Sequence, residues 1–223
     1  MPDTPVSIDS LMANAGRLAG MTLAELARLN HIDVPDNLQG HKGWIGDLLE
    51  TALGSDAGNR AAPDFLHLGV ELKTIPVDLT GKPVESTYVC SIPLMQVDLD
   101  WHRSVVWHKL QRVLWIPVAA DNTDCLAARR IGTPLLWSPS DKQAAELQQD
   151  WLDIMETIAQ GRVEALDARR GKWLQVRPKA ANSRERCWAI DENGMRFQTL
   201  PRGFYLRAAF TRRILQEHFN PSA

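Results

Sequence analysis

Between Ser140 and Gln160 the apolar residues Leu147, Trp151, Ile154, Met155 and Ile158 fall on one helical face, and Gly161 stands past the end. One amphipathic helix therefore claims residues 140–160, a rod of roughly 30 Å. It must lie against something apolar, and the runs around it are short. Residues 105–107, 113–118 and 173–177 are β-branched and aromatic and have the length of strands. A long helix among short strands dictates an α/β protein built around a mostly antiparallel or mixed sheet.

The N-terminal part of the chain reads as helical. Ile8, Leu11, Met12 and Ala15 recur at helical spacing up to about Gly20. Thr22 and Glu25 form a capping box ahead of Leu23, Leu26 and Ala27. A third helix runs over 43–53, with Ile45, Leu48, Leu49 and Ala52 as its stripe and Gly54 as its stop. Residues 68–75 read as a strand, 78–83 as a turn and 85–93 as a returning strand. Asp191 to Gly194 is a turn before a strand through Phe197, and a final helix carries Leu206, Phe210, Ile214 and Leu215.

A length of 223 residues suits one large domain or two joined lobes, and 44% hydrophobic with 23% charged residues is an ordinary globular composition. Apolar runs are too short for a membrane span, and the N-terminus lacks a signal-peptide pattern. Cys90, Cys125 and Cys187 are odd in number and widely spaced, against a disulfide framework. A cytoplasmic protein is expected. The net charge of −2 hides an asymmetry: residues 1–100 carry 6 Lys/Arg against 14 Asp/Glu, and residues 162–223 carry 13 against 6. The expected organisation is one domain over 1–223, acidic and suited to metal to about residue 120, basic and suited to a polyanion from about 160.

Asp64 precedes Glu71-Leu72-Lys73 by seven residues. On a strand, Glu71 and Lys73 share a face while Val70 and Leu72 point oppositely, into a core. Phosphodiester hydrolysis uses such a set: hard carboxylate oxygens for Mg²⁺ and a cation near the attacking water. Glu50 lies off the apolar stripe of the third helix, near Asp47, and offers another carboxylate. The same spacing also suits a plain solvated strand. Other chemistries lack their motifs: there is no P-loop, no paired His or Cys at zinc-ligand spacing among six histidines, and no Gly-x-Ser-x-Gly elbow. Of eight tryptophans, Trp44, Trp115 and Trp151 sit in apolar runs as core residues. Arg177-Pro178-Lys179 and Pro201-Arg-Gly-Phe-Tyr205 read as basic loops whose Arg and Lys can bond guanine and whose ring can sense a methyl group.

Several stretches together resemble one family. They are His41-Lys-Gly-Trp-Ile-Gly46 with Leu48-Leu-Glu50, Leu68-Gly-Val-Glu-Leu-Lys-Thr-Ile-Pro-Val-Asp78, and His108-Lys-Leu-Gln-Arg-Val-Leu-Trp-Ile-Pro117. To these are added Leu126-Ala-Ala-Arg-Arg-Ile-Gly132, Pro134-Leu-Leu-Trp-Ser-Pro139, Gln175-Val-Arg-Pro-Lys-Ala-Ala-Asn182 and Leu200-Pro-Arg-Gly-Phe-Tyr-Leu206. In order and spacing they resemble the MutH family of DNA mismatch-repair endonucleases, within the PD-(D/E)XK superfamily of type II restriction endonuclease-like proteins. The extreme N-terminus and residues 96–101 and 183–196 match less well, and no site residue is taken from them.

The resemblance implies a mixed sheet flanked by helices, with two lobes around a DNA-binding cleft. It implies nicking of the unmethylated strand 5′ to the G of hemimethylated GATC in double-stranded DNA. Asp64, Glu71 and the Leu72 carbonyl would ligate Mg²⁺, at a site Mn²⁺ or Ca²⁺ also fits, with Glu50 in or just behind the cluster. Lys73 would orient or deprotonate the water, and Lys109 would stabilise charge at the scissile phosphate. Lys42, Arg177, Pro178 and Lys179 would contact DNA, and Tyr205 would sense adenine methylation. The implied partners are MutL as activator and MutS through it, and a monomer suffices for one nick. A restriction enzyme cutting both strands of GATC, or a non-catalytic DNA-binding module of the same fold, are the alternatives.

Overall fold

The computed structural model describes residues 4–41, 43–58, 62–120, 125–179 and 184–220. In chain order the described residues form α1 (Ile8–Leu18), α2 (Leu23–Leu29), α3 (Trp44–Leu53), β1 (Glu71–Val77), β2 (Thr87–Ser91), α4 (Val105–Leu110) and β3 (Val113–Ala119). Then come β4 (Leu135–Trp137), α5 (Asp141–Ala159), β5 (Leu174–Pro178), β6 (Cys187–Ile190), β7 (Arg196–Thr199), β8 (Arg202–Leu206) and α6 (Ala208–Phe219). The mixed α/β class stands. The one sheet expected is instead a three-stranded sheet β1-β3-β4, a second sheet β2-β8-β5, and the β6-β7 hairpin. Among the described residues no helix is long and apolar enough to cross a membrane.

These elements gather into two compact units. The first takes its residues from Met1–Glu85, Gln111–Ser138 and Arg212–Ala223. Its centre is the parallel pairing of β1 with β3, Glu71 opposite Val113 through Val77 opposite Ala119, with β4 antiparallel on the far side of β3. α1 and α2 start at capping boxes built on Ser7 and Thr22, and α3 stops at Gly54, whose φ of 72° is the left-handed conformation of a C-cap glycine. Leu11, Leu26, Leu49, Phe65, Leu114 and Ile116 are among the buried residues that join these helices to the sheet.

The second unit takes Ser86–Leu110 and Pro139–Thr211. β8 is its central strand, antiparallel to β2 on one side and β5 on the other, with a bulge between Tyr88 and Cys90. The long helix α5 covers residues 141–159 with Ser140 and Gln160 as caps, as its periodicity predicts. Its Asp150 is buried and accepts the N–H groups of Lys172 (2.7 Å), Trp173 (2.6 Å) and Leu174 (2.9 Å), pinning the start of β5 to the helix. A buried carboxylate is tolerated there because its oxygens are met by backbone donors.

Several sequence expectations need correction. Residues 105–107 are the first turn of α4 and not a strand: the Ser104 hydroxyl accepts the N–H of Trp107, and Val106 and Leu110, four apart, are both buried. The strand expected over 68–75 begins at Glu71, because Leu66–Leu68 is a 3-10 turn and Gly69 is left-handed at φ 61°. The strand after the 78–83 turn does not return onto β1; as β2 it joins the other sheet. Residues 202–205 are not a loop and Leu206 is not helical. Both belong to β8, and Arg177 and Pro178 end β5.

Replacing Asp150 with Ala leaves three N–H groups without their acceptor and is expected to cost on the order of 3 kcal/mol. The measurement is the urea midpoint, with the exposed Asp153→Ala as a control that moves it little. An unchanged midpoint for Asp150→Ala would mean that β5 is held some other way.

Candidate active site

In the first unit the carboxylates are brought together by a turn that folds back on itself. Phe65 and Val70 exchange two backbone hydrogen bonds, N–H of Phe65 to O of Val70 at 2.9 Å and the reverse at 3.3 Å. An antiparallel bridge at 65 and 70 sets residues 64 and 71 opposite one another, so Asp64 faces Glu71 although seven residues separate them. The Asp64 carboxylate then accepts the N–H of Leu72 at 2.7 Å. Glu71 donates its own N–H the other way, to the Arg112 carbonyl at 3.0 Å. Since N–H and C=O of one strand residue leave by the same edge, the Leu72 carbonyl opens on the edge that Asp64 occupies.

Glu71 is 2% exposed and Asp64 8%, the depth at which a carboxylate has to be compensated. Lys73 supplies part of that: its Nζ lies 2.9 Å from Glu71 Oε1, with little of either side chain exposed. The contact puts Glu71 and Lys73 on one face, while Leu72 is buried in the core, as strand alternation requires. Glu50, on α3, is close enough to feel the others. Burial, followed by the charges of Asp64, Asp47 and Glu71, pushes its carboxyl up to about 7, and Lys73 pulls the other way. Around Glu50 the acidic charge of Asp64, Asp47 and Glu71 outweighs that of Lys73, the condition a divalent cation would relieve. No three His, Cys, Asp or Glu side chains among the described residues converge as a metal-holding group. A cation here would therefore draw on Asp64, Glu71 and the backbone oxygen of Leu72.

The second unit carries the remaining expected residues. Lys109 is on the last turn of α4, partly buried. Arg177, Pro178 and Tyr205 belong to the β5-β8 pair, and Lys179 follows β5, its N–H donated to the Pro201 carbonyl at 2.8 Å. Tyr205 stands opposite Tyr88 on β2, and the chain's two tyrosines meet at a ring-centroid distance of 5.3 Å, edge to face. The Arg177 guanidinium bonds the Ser86 hydroxyl at 2.7 Å and lies 6.0 Å from the Tyr205 ring, while Lys179 Nζ lies 4.2 Å from the Tyr88 ring. Gly203 makes this possible: a Cβ there would stand 3.0 Å from Tyr88 and 3.2 Å from Tyr205. Burial, then Tyr88, raises the Tyr205 hydroxyl pKa above its usual value, so it stays neutral and donor-competent. Lys42 lies outside the described residues.

Tyr88, Ser86 and Gly203 were missed in the sequence. The available signal was the glycine inside a strand-length run of alternating residues, which marks a close approach of other groups. Ser55 and Asp56, which hold Asp64 from behind, carry no such signal.

Because the folded-state pKa of Glu50 is raised above its unfolded value of about 4.5, its contribution to stability is complete below that value and is lost as pH rises through 7. In a metal-free, EDTA-treated sample, Glu50→Gln should match the wild type at pH 4 and exceed it in stability at pH 8. Equal stability at both pH values would remove Glu50 from the acidic cluster.

A sequence model described as "DNA mismatch repair enzyme MutH" matches residues 53–150, which include Asp64, Glu71, Lys73 and Lys109. The DNA mismatch repair protein MutH of Shewanella sp. (strain W3-18-1) is 53% identical over 216 residues, 96% of this chain and 97% of that protein. The MutH of Shewanella woodyi is 52% identical over 219 residues, 98% and 95% of the two chains, and that of Shewanella amazonensis 52% over 220, 98% of each. Identity at this level over nearly the whole length leaves one conclusion: the chain belongs to the MutH family of DNA mismatch repair enzymes.

Proposed function

We propose that this chain is a Mg²⁺-dependent endonuclease that nicks the unmethylated strand of hemimethylated GATC 5′ to the G. MutL, acting with MutS, raises its activity. The observation that carries the reading is the facing pair Asp64 and Glu71, with Lys73 bonded to Glu71 and the Leu72 carbonyl on the same strand edge. The crowding of Glu50, Asp64 and Glu71 fits a divalent cation held by Asp64, Glu71 and the Leu72 oxygen. When bound there, Mg²⁺ neutralises phosphate charge and acidifies an attacking water.

This chain's own residues do the rest. Lys73, fixed at one end of β1 by Glu71, orients the water and takes up or passes on its proton. Glu50, whose carboxyl is pushed up to about 7 when no cation is present, would be drawn to its carboxylate form by a cation bound beside it. Lys109 places a positive charge for the phosphate as negative charge develops on it. Arg177 offers the planar pair of donors that suits guanine O6 and N7. Lys179 adds phosphate or base contacts, and Pro178 shapes the end of β5 between them. Lys42 is assigned to DNA contact on the resemblance alone.

Tyr205 reads the methyl group by exclusion. Its ring is backed by Tyr88 and sits on the central strand of a sheet, so it cannot swing aside as a loop residue could. An N6-methyl on adenine enlarges the base edge and collides with that ring. A clash of one methyl group is worth about 1–3 kcal/mol.

The test uses a hemimethylated GATC duplex labelled on each strand, with Mg²⁺, with and without MutL. A nick confined to the unmethylated strand and accelerated by MutL is expected; efficient cutting of both strands without a helper would make the protein a restriction enzyme instead. Glu71→Ala should abolish nicking and leave DNA binding largely intact, and full nicking by that variant would sink the site assignment. Tyr205→Ala should shrink the rate ratio between unmethylated and fully methylated GATC by roughly tenfold. An unchanged ratio would assign methyl sensing elsewhere.

A further inference from the structure

Behind Asp64 lies a second set of contacts that the chemistry above does not use. The Asp64 carbonyl oxygen accepts three hydrogen bonds: from the Ser55 hydroxyl at 2.9 Å, the Asp56 N–H at 3.1 Å and the Ala57 N–H at 3.2 Å. All three donors come from the segment directly after Gly54, the left-handed residue that ends α3. The same segment grips the helix. Ser55 donates its own N–H to the carbonyl of Glu50 at 3.0 Å. One residue thus bonds the backbones of two of the proposed site's carboxylate residues, Glu50 through its N–H and Asp64 through its hydroxyl.

Asp56 extends the clip to the turn that carries Asp64 towards Glu71. Its Oδ1 accepts the Leu66 N–H at 2.9 Å, and its Oδ2 lies 3.7 Å from His67 Nδ1. With the Asp64 carboxylate bonded to Leu72 at one end and its carbonyl bonded to residues 55–57 at the other, Asp64 is held from both sides. A carboxylate ligand on an irregular segment would need that, since an error of about 1 Å in a ligand's position is enough to weaken the site severely.

We propose that Ser55 is the positioning residue of the metal site, setting Asp64 relative to Glu50 through its hydroxyl. The inference rests on the reading of Asp64 and Glu71 as cation ligands. Asp56 supports it by fixing the turn after Asp64. Removing the hydroxyl leaves the two N–H donors, so the fold survives while the carboxylate gains freedom. Groups that orient metal ligands in this way are worth about 10–100-fold in metal affinity or activity.

The experiment measures Ca²⁺ binding by calorimetry, without turnover, and nicking as a function of Mg²⁺ concentration, for the wild type, Ser55→Ala, Ser55→Thr and Glu71→Gln. Ser55→Ala should bind Ca²⁺ about tenfold more weakly, need correspondingly more Mg²⁺ to reach the same nicking rate, and keep its thermal midpoint and DNA affinity. Ser55→Thr, which retains the hydroxyl, should restore both metal dependences. Wild-type Ca²⁺ affinity and Mg²⁺ dependence in Ser55→Ala would overturn the proposal, as would a loss that Thr does not rescue. Glu71→Gln separates the two readings: if it binds Ca²⁺ as the wild type does, the metal site itself is misplaced. If it loses Ca²⁺ and Ser55→Ala does not, only the positioning role falls.

Discussion

Two backbone hydrogen bonds between Phe65 and Val70 decide what the first unit can do. Without them Asp64 and Glu71 are neighbours in sequence only loosely, at opposite ends of a seven-residue step. With them the chain doubles back through a 3-10 turn and a left-handed Gly69, and the two carboxylates face one another across the bridge. The arrangement is viable because Phe65 and Val70 are themselves fully buried. Apolar burial thereby holds together two acidic groups that would otherwise repel each other. The parallel pairing with β3 then fixes which edge of β1 is left for the Asp64 carboxylate.

The second unit solves a different problem, presenting polar groups from paired strands tied to a helix. Tyr88, Tyr205 and Arg177 are spread over three strands, with Ser86 just ahead of β2, and the other face of the sheet packs buried residues such as Val176 and Phe204. Asp150 ties that sheet to α5 through three N–H groups, and Arg207 caps the carbonyls of Ala168, Arg170 and Gly171 just upstream. Gly171 is forced by the same packing: at φ 78°, a Cβ there would fall 1.9 Å from the Leu174 oxygen. These ties hold the start of β5 and the end of β8 in place.

What could be read in the sequence was what local physics determines. The caps at Thr22 and Gly54, the stripe on α5 and the shared face of Glu71 and Lys73 depend on neighbours a few residues away. What could not be read needs partners far along the chain. Val105 and Val106 look like a strand until Ser104 caps them and Val106 finds the core. Arg202 to Tyr205 look like a loop because the glycine signals a close approach without saying what makes it: Tyr88, more than a hundred residues earlier, packs where the Gly203 side chain would be. Glu50 was visible as a carboxylate off the apolar stripe, but its crowding with Asp64 is a tertiary fact. Ser55 was invisible, since a serine after a C-cap glycine is ordinary.

The division of the chain into interleaved units has a consequence for how it becomes a folded protein. The connection between the paired strands β1 and β3 contains β2 and α4, which belong to the second unit, and the first unit's last segment begins only at Arg212. During synthesis from the N-terminus, neither unit has all its parts until the chain is nearly finished. Contacts of such high sequence separation close slowly, and the edge of β1 waits for a partner made some forty residues later. A nascent chain of this kind completes neither unit early, so both close only once most of the chain has been made.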